Sequence, residues 1–225
     1  GYAAPTLSVG QECFLNISFT TKTQPVWAEE EHYVVASEQL ALDTADGALP
    51  KVDTSSMADF TKVEDGETAL TITGADFAIT FDKTTGALSS YQVKGEEYLA
   101  EPLEPNFWRA ETDNDVKTSH DTQWKDAVSD ASVTSFSVNQ EGKQVYITVG
   151  LKLNTKGNSM YTATYIVYGD GSVVVNSTLK PDSSLNPLLR VGMRLQMTPG
   201  FENMTWYGRG PSDSYWDRKV GYDVG

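Results

Sequence analysis

The chain has 225 residues, enough for one large domain or two modest ones with a sizeable buried core. Its hydrophobic content of 39%, with 11% aromatic residues, is ordinary for a globular protein and too high for a disordered one. The net charge of −14 argues against nucleic acid and anionic membranes as partners, because their phosphates would repel it, and fits a neutral ligand.

The single cysteine and the lengths of the apolar runs restrict the cellular compartment in which the protein is expected. Cys13 is the only cysteine, so neither a disulfide within the chain nor a cysteine-based metal site can form. Its place in an apolar alternation indicates a small core residue. No apolar run reaches membrane-spanning length, and the first residues lack a secretory signal. We expect no membrane or nucleic-acid partner and favour the cytoplasm.

Two strands are predicted near the start. The segment Glu12–Thr21 alternates, with an apolar face that includes Cys13 and Phe19, and this predicts a half-buried strand. A second strand is predicted over His32–Leu42. Two strands do not make a stable domain. The first fifty residues are therefore interpreted as the end of a domain whose beginning is missing, or as strands that pair with the rest.

A linker and a β-meander are predicted next. Residues 43–67 are rich in Asp, Gly, Pro, Ser and Thr with little periodicity, which indicates a linker that Met57 and Phe60 could anchor. The strand pattern of Phe77–Phe81 follows, and a turn over Asp82–Gly86 leads to a returning strand over Leu88–Val93.

The second half of the chain is predicted to be β-structure as well. Val145–Leu153 is the cleanest alternation, and Asp170-Gly171 predicts a hairpin between Tyr161–Val167 and Val173–Leu179. A further strand is predicted over Leu189–Met197. These patterns predict an antiparallel all-β fold.

The segment Pro105–Trp124, PNFWRAETDNDVKTSHDTQW, crowds aromatic and charged residues without helix or strand periodicity. Polar and aromatic groups on irregular backbone are typical of a binding site. The alternative is that Phe107 and Trp108 fill a core while the acids face water. A short helical turn is predicted around Trp124–Val128.

The residues of this segment give little support for most kinds of catalytic site. His32, predicted in a strand, and His120 are the only histidines, so a nucleophile–histidine pair has few ways to assemble. Asp113-Asn114-Asp115 does not continue as a calcium loop, because Lys117 falls at a ligand position. Helix caps and turns are the better interpretation of these three residues. The acids Glu111, Asp113, Asp115 and Asp121 lie in a loop, whereas a glycosidase pair is normally fixed on rigid strand ends.

A second dense region is Trp206–Arg218, WYGRGPSDSYWDR. Aromatic rings in such a region can stack on sugar C–H faces while Asp or Arg binds the hydroxyls. The alternative is an aromatic-lined turn in which Asp217 and Arg218 bond neighbouring groups.

Both regions resemble paired signatures of one family. FWRAETDND (Phe107–Asp115) and WYGRGPSDSYWDR (Trp206–Arg218) are similar to signatures of the carboxy-terminal β-sandwich of large β-galactosidases of glycoside hydrolase family 2. The intervening Thr80–Leu99 and Val167–Leu179 resemble that domain too, and Val26–Leu42 resembles the end of the preceding immunoglobulin-like domain. The matching signature residues are Trp108, Arg109, Asp113, Asn114, Asp115, Tyr207, Gly208, Gly210, Pro211, Tyr215, Asp217 and Arg218.

The resemblance implies an architecture. Residues 1–49 would be the end of the immunoglobulin-like sandwich, 50–67 a linker, and 68–225 the amino-terminal part of an antiparallel, galactose-mutarotase-like β-sandwich. Both domains would be truncated. The catalytic glutamates and the magnesium and sodium sites of the family lie on a barrel that nothing in this sequence resembles, so we expect no catalytic residue, metal or other cofactor here.

The resemblance also implies a function. The parent enzyme would hydrolyse terminal β-D-galactosides with retention, as a homo-oligomer, and this piece would be inactive alone. Its partners would be the rest of the enzyme and the β-galactoside. One loop would reach the edge of the active site and touch substrate. The loop residues are Val116, Lys117, Thr118, Ser119, His120 and Asp121.

The chain departs from the family pattern at three places. Glu111 replaces a usual proline, Val116-Lys117 a glycine, and Asp213 a glutamate. Because a bulky residue in place of glycine restricts the backbone, the loop is expected to swing less freely. Two alternatives stay open. One is a carbohydrate-binding module, with Trp108, Tyr207, Tyr215 or Trp216 as its stacking platform. The other is a structural interaction domain with an exposed apolar patch.

Overall fold

The structure is a computed structural model that describes residues 5–44, 52–117, 122–212, 214–215 and 217–225. Nearly all of its regular structure consists of strands in antiparallel sheets, which confirms the predicted all-β class. The strands are β1 (Glu12–Thr20), β2 (Val34–Thr44), β3 (Lys62–Asp65), β4 (Ala69–Thr73), β5 (Phe77–Asp82), β6 (Leu88–Val93), β7 (Glu96–Glu97), β8 (Leu99–Asn106), β9 (Ser132–Glu141), β10 (Gln144–Lys152), β11 (Met160–Tyr168), β12 (Val173–Lys180) and β13 (Gly192–Met197). The helical elements are α1 (Asp113–Val116) and two 3₁₀ helices, Thr122–Asp126 and Lys219–Gly221.

The chain divides into two compact units. Unit 1 comprises residues 1–52 and 203–225, and unit 2 comprises residues 53–202. The domain boundaries predicted at residues 49 and 67 stay predictions. None of the described helices is long and apolar enough to cross a membrane.

Unit 2 is a sandwich of two antiparallel sheets. One has the order β12-β11-β10-β9, and the other has the order β13-β8-β6-β5-β4-β3 with β7 paired to β6. Alternate residues of the central strands point into a shared core, and the rings of Phe81 on β5 and Tyr165 on β11 meet with centroids 5.0 Å apart. Phe60, predicted as an anchor, packs edge-on against Phe77.

The predicted strands of unit 2 are largely confirmed. The cleanest alternation becomes β10, whose apolar row from Val145 to Leu151 is buried and continues to Leu153. The Asp170-Gly171 hairpin forms, with φ of +86° at Gly171, a backbone conformation that glycine adopts without strain. The last predicted strand is shorter than expected, beginning at Gly192, and Val191 and Leu195 are exposed.

The strands β3, β4, β7, β8 and β9 were not predicted, and β9 and β3 show two different reasons. In β9, a register irregularity opposite Gly150 and Leu151 leaves Val133 and Phe136 on the core side three residues apart, which breaks the period of two. In the predicted linker, Lys62–Asp65 forms the short edge strand β3, where only Val63 packs against the core.

Unit 1 contains a single pair of antiparallel strands, β1–β2, among its described residues. Both strands were predicted, but two details were wrong. His32 lies in the turn before β2 with φ of +60°, so the strand begins at Val34. The apolar face is not half-buried, since Phe19 is 64% exposed and Cys13 is only partly buried rather than in a core.

Candidate functional site

Aromatic side chains fix both ends of the segment Pro105–Trp124 in the core of unit 2. Phe107, which directly follows β8, and Trp124, in the 3₁₀ helix, are buried, and their ring centroids lie 5.8 Å apart at 66°. The Trp124 indole Nε1 donates to the backbone oxygen of Asn186 at 3.2 Å. Trp108 is partly buried against the same core. The alternative interpretation is therefore correct for Phe107 and in part for Trp108, whereas the acids do not all face water, since Asp115 is largely buried in an ion pair.

A helix cap organises the middle of the segment. The Asp115 N–H donates to Thr112 Oγ1 at 3.4 Å, and the Thr112 N–H donates back to Asp115 Oδ2 at 2.7 Å. This reciprocal pair is a capping box at the start of α1. The prediction that Asp113-Asn114-Asp115 serves caps and turns is confirmed. The role of Thr112 was missed, although its spacing of three residues from Asp115 is the sequence signal for such a cap.

Asp115 also pairs with Arg109 in a bidentate ion pair. Arg109 Nη1 lies 2.5 Å from Asp115 Oδ2, and Nη2 lies 3.1 Å from Oδ1. Their side chains are only 17% and 14% exposed. The bond from Arg109, followed by the bond from the Thr112 N–H, holds the pKa of Asp115 well below its usual range. This carboxylate is ionised at neutral pH and fixes the turn, so it is not suited to proton transfer.

The predicted substrate loop starts where α1 ends. Lys117 closes the helix by donating its N–H to the Asn114 oxygen, and Val116 is exposed. Thr118, Ser119, His120 and Asp121 lie outside the described residues. A contact of Val116–Asp121 with substrate stays a prediction. Among the described residues, no group of three or more His, Cys, Asp or Glu side chains could hold a metal ion.

The second signature region lies in unit 1 and is tied together by backbone bonds. Gly208 and Gly225 exchange both N–H···O bonds at 2.9 Å, and Arg209 bridges to Val224. Arg209 Nη1 donates to the backbone oxygens of Lys219 at 3.0 Å and Tyr222 at 2.6 Å. Sequence reasoning did not single out Arg209. Its only signal is its place between two glycines, since its partners lie ten or more residues away.

The signature glycines and aromatics of this region have separable roles. Trp206 lies against Gly210, where a Cβ would come within 3.0 Å of the indole Cζ2. Tyr207 is 68% exposed and donates its hydroxyl to Glu12 Oε2 at 3.1 Å, and Tyr215 is also exposed.

The other signature residues of this region lie around it. Pro211 follows Gly210 through a cis peptide bond. The Arg218 N–H donates to the Tyr215 oxygen at 2.8 Å, which closes a turn that contains Asp217. This bond agrees with the interpretation of the region as an aromatic-lined turn. Asp213 and Trp216 lie outside the described residues.

Fold and signatures together define the class of protein, an antiparallel β-sandwich whose signature residues build turns and anchors. Residues 73–225 match the family model described as beta galactosidase small chain, and the chain belongs to this family. It is 37% identical over 213 residues to a beta-galactosidase of Priestia megaterium, covering 93% of this chain and 20% of that protein. Beta-galactosidases of Clostridium acetobutylicum (26% over 218 residues; 96% of this chain, 24% of that protein) and Vibrio cholerae (30% over 237 residues; 95% and 22%) are also similar.

The chain spans about a fifth of the length of these relatives, so it corresponds to a part of a larger β-galactosidase. The predicted resemblance is thereby confirmed.

Proposed function

We propose that this chain supports the active site of a β-galactosidase rather than performing the hydrolysis itself. The parent enzyme would release terminal β-D-galactose with retention, using carboxylates, magnesium and sodium held outside this chain. The similarity to β-galactosidases five times longer supports this proposal. The roles of the signature residues within the chain support it as well.

The observation that carries the proposal is the use of Asp115. The most strongly bonded carboxylate of the first signature is engaged by Arg109 and by the Thr112 N–H, directly before the exposed Val116. A carboxylate that forms an ion pair with an arginine is suited to fixing the base of a loop. The loop Val116–Asp121 would then contribute to the wall of the galactoside site, with its base fixed by the Arg109–Asp115 pair.

Two assays of one substrate test this proposal. The purified 225-residue chain should not turn over nitrophenyl β-D-galactoside, and measurable turnover would contradict the proposal. In the full-length enzyme, Asp115→Asn should raise KM or lower kcat, because the loop base loses its ion pair. Asp113→Asn, an exposed carboxylate on the same helix, is the matched control and should leave both constants near their original values.

A carbohydrate-binding module is the second candidate, and the exposure of Tyr207 and Tyr215 favours it. Trp108 does not, because it packs against the core. Calorimetry with galactose and lactose distinguishes the candidates. If the chain binds these sugars and Tyr207→Ala abolishes the binding, the carbohydrate-binding module is favoured. If unit 1 binds no sugar, the role in supporting the active site of the parent enzyme is favoured.

An interaction domain is compatible with the supporting role. Unit 1 exposes Phe19 and Trp27 together with Val26, which is the kind of surface that a neighbouring domain or subunit covers. The rest of the parent enzyme and a homo-oligomer partner are the occupants we propose. Dye binding and concentration-dependent association of the isolated chain would test this.

A further inference from the structure

We propose that unit 2 carries a small-ligand site of its own, and that its ligand is a neutral monosaccharide or a polyol of similar size. This inference goes beyond the proposed function and does not depend on it. The site is a crevice beside β8, formed by two adjoining cavities of about 180 Å³ and about 120 Å³. Both cavities are lined by Glu104, Pro105, Val128 and Ser129, so they adjoin each other along these four residues.

The size of the crevice restricts the ligand. Pockets for drug-sized molecules begin at roughly 300 Å³. Cavities of about 180 Å³ and about 120 Å³ that share lining residues therefore suit one sugar ring rather than an oligosaccharide.

The inner wall of the crevice is apolar and rigid. It is formed by Val149 and Leu151 of β10 and by Tyr161 and Tyr165 of β11, all of which are buried. These residues belong to the central strands of their sheet, so the wall is preformed. Aliphatic and aromatic surfaces of this kind pack against the C–H faces of a sugar.

The polar side of the crevice is held in place by an ion pair. Glu104 Oε1 accepts from Arg194 Nε at 2.7 Å and from Arg194 Nη2 at 2.5 Å. Neither of these bonds uses Oε2, which can therefore accept from a ligand hydroxyl. Because Arg194 offsets the charge of Glu104, a neutral ligand is favoured, and the net charge of −14 disfavours an anion. Thr84, Thr85 and Ser129 also line the crevice with hydroxyl-bearing side chains.

The test is a titration of the ¹⁵N-labelled 225-residue chain with galactose, followed by amide chemical shifts. We expect saturable shifts at Glu104 and at residues 128–131, with a millimolar dissociation constant. Glu104→Gln keeps the shape of the side chain and should weaken binding about tenfold, because the ligand loses a charge-assisted bond. The matched control is Glu101→Gln on the same strand, which is exposed and outside the lining, and it should leave the constant unchanged.

A filling variant provides an independent readout. Ala131→Leu should abolish the shifts, and the unfolding midpoint shows whether the variant is folded. The proposal is overturned if galactose gives no saturable shifts at the crevice, or if shifts occur only in unit 1. Equal effects of Glu104→Gln and Glu101→Gln would overturn it too. None of these outcomes alters the activity assays of the proposed function, so the two proposals can fail separately.

Discussion

Strands with similar alternating patterns are buried in one unit and largely exposed in the other. In unit 2 the apolar rows of β10 and β11 are buried between two sheets, with Val145 and Val167 fully inaccessible. In unit 1 the apolar residues of β1 are exposed or only partly buried, and Ala28 is the only buried hydrophobic residue among those described there. An alternating strand can bury one face only where a second layer covers it. The comparison therefore separates the part of the chain that makes its own core from the part that exposes apolar surface.

The largest expected effect on the free energy of unfolding comes from replacing a core phenylalanine, compared with an exposed one. Phe81→Ala in unit 2 should destabilise the chain by about 3–5 kcal/mol, because it removes a buried ring that meets Tyr165. Phe19→Ala in β1 should cost within about 0.5 kcal/mol, since that ring is largely exposed. Urea denaturation measures both. Similar losses for the two variants would mean that β1 is packed as tightly as β5.

The second prediction compares two turn glycines within unit 2. Gly86 has φ of +73°, and a Cβ there would lie 2.4 Å from Val149 Cγ1 in the core. Gly86→Ala should therefore cost about 2–4 kcal/mol from strain and overpacking together. Gly95 has φ of +83° with no atom within 4 Å of the position of a Cβ, so Gly95→Ala should cost about 1 kcal/mol. Equal costs would show that packing at Gly86 relaxes freely.

The third prediction concerns pH. The pKa of Asp115 is lower in the folded chain than its ordinary value of 3.8. Its stabilising contribution is therefore present above that value and is lost as the pH falls towards the folded pKa. Asp115→Asn should lower the free energy of unfolding at pH 7, and the difference from the original chain should shrink below about pH 4. Urea titrations between pH 7 and pH 3 measure this, with Asp113→Asn as the control. A difference that stayed constant with pH would refute the role of the ion pair.

The smallest effect on stability is expected at the exposed loop of unit 1. Trp27 is 66% exposed and stacks edge-on with Tyr33 at 5.0 Å. Trp27→Ser should reduce the binding of a hydrophobic dye and change the free energy of unfolding by no more than about 0.5 kcal/mol. Lys22→Ser, at a neighbouring part of the same loop, is the polar control. A loss of several kcal/mol would instead place Trp27 in a core.

Elements with local determinants could be predicted. The row Val145–Leu153, the Asp170-Gly171 hairpin and the turn role of Asp113-Asn114-Asp115 depend on a period of two, on positive φ or on a cap within three residues. The family resemblance could be predicted too, because the signatures are contiguous runs of residues.

Elements that depend on residues far away in the sequence could not be predicted. The register irregularity of β9 depends on its pairing with β10, and the bonds of Arg209 depend on residues ten or more positions away.

By itself, the sequence determined the all-β class, most strands, the family and the use of its first signature for caps and turns. These properties depend on alternation, turn chemistry and short spacings, which are properties of neighbouring residues. Only the tertiary structure decided that Asp115 is bound by Arg109, that Glu104 and Arg194 border a crevice, and that unit 2 is packed whereas unit 1 is exposed. Burial and pairing depend on which surfaces meet, and a strand pattern describes only one of the two surfaces.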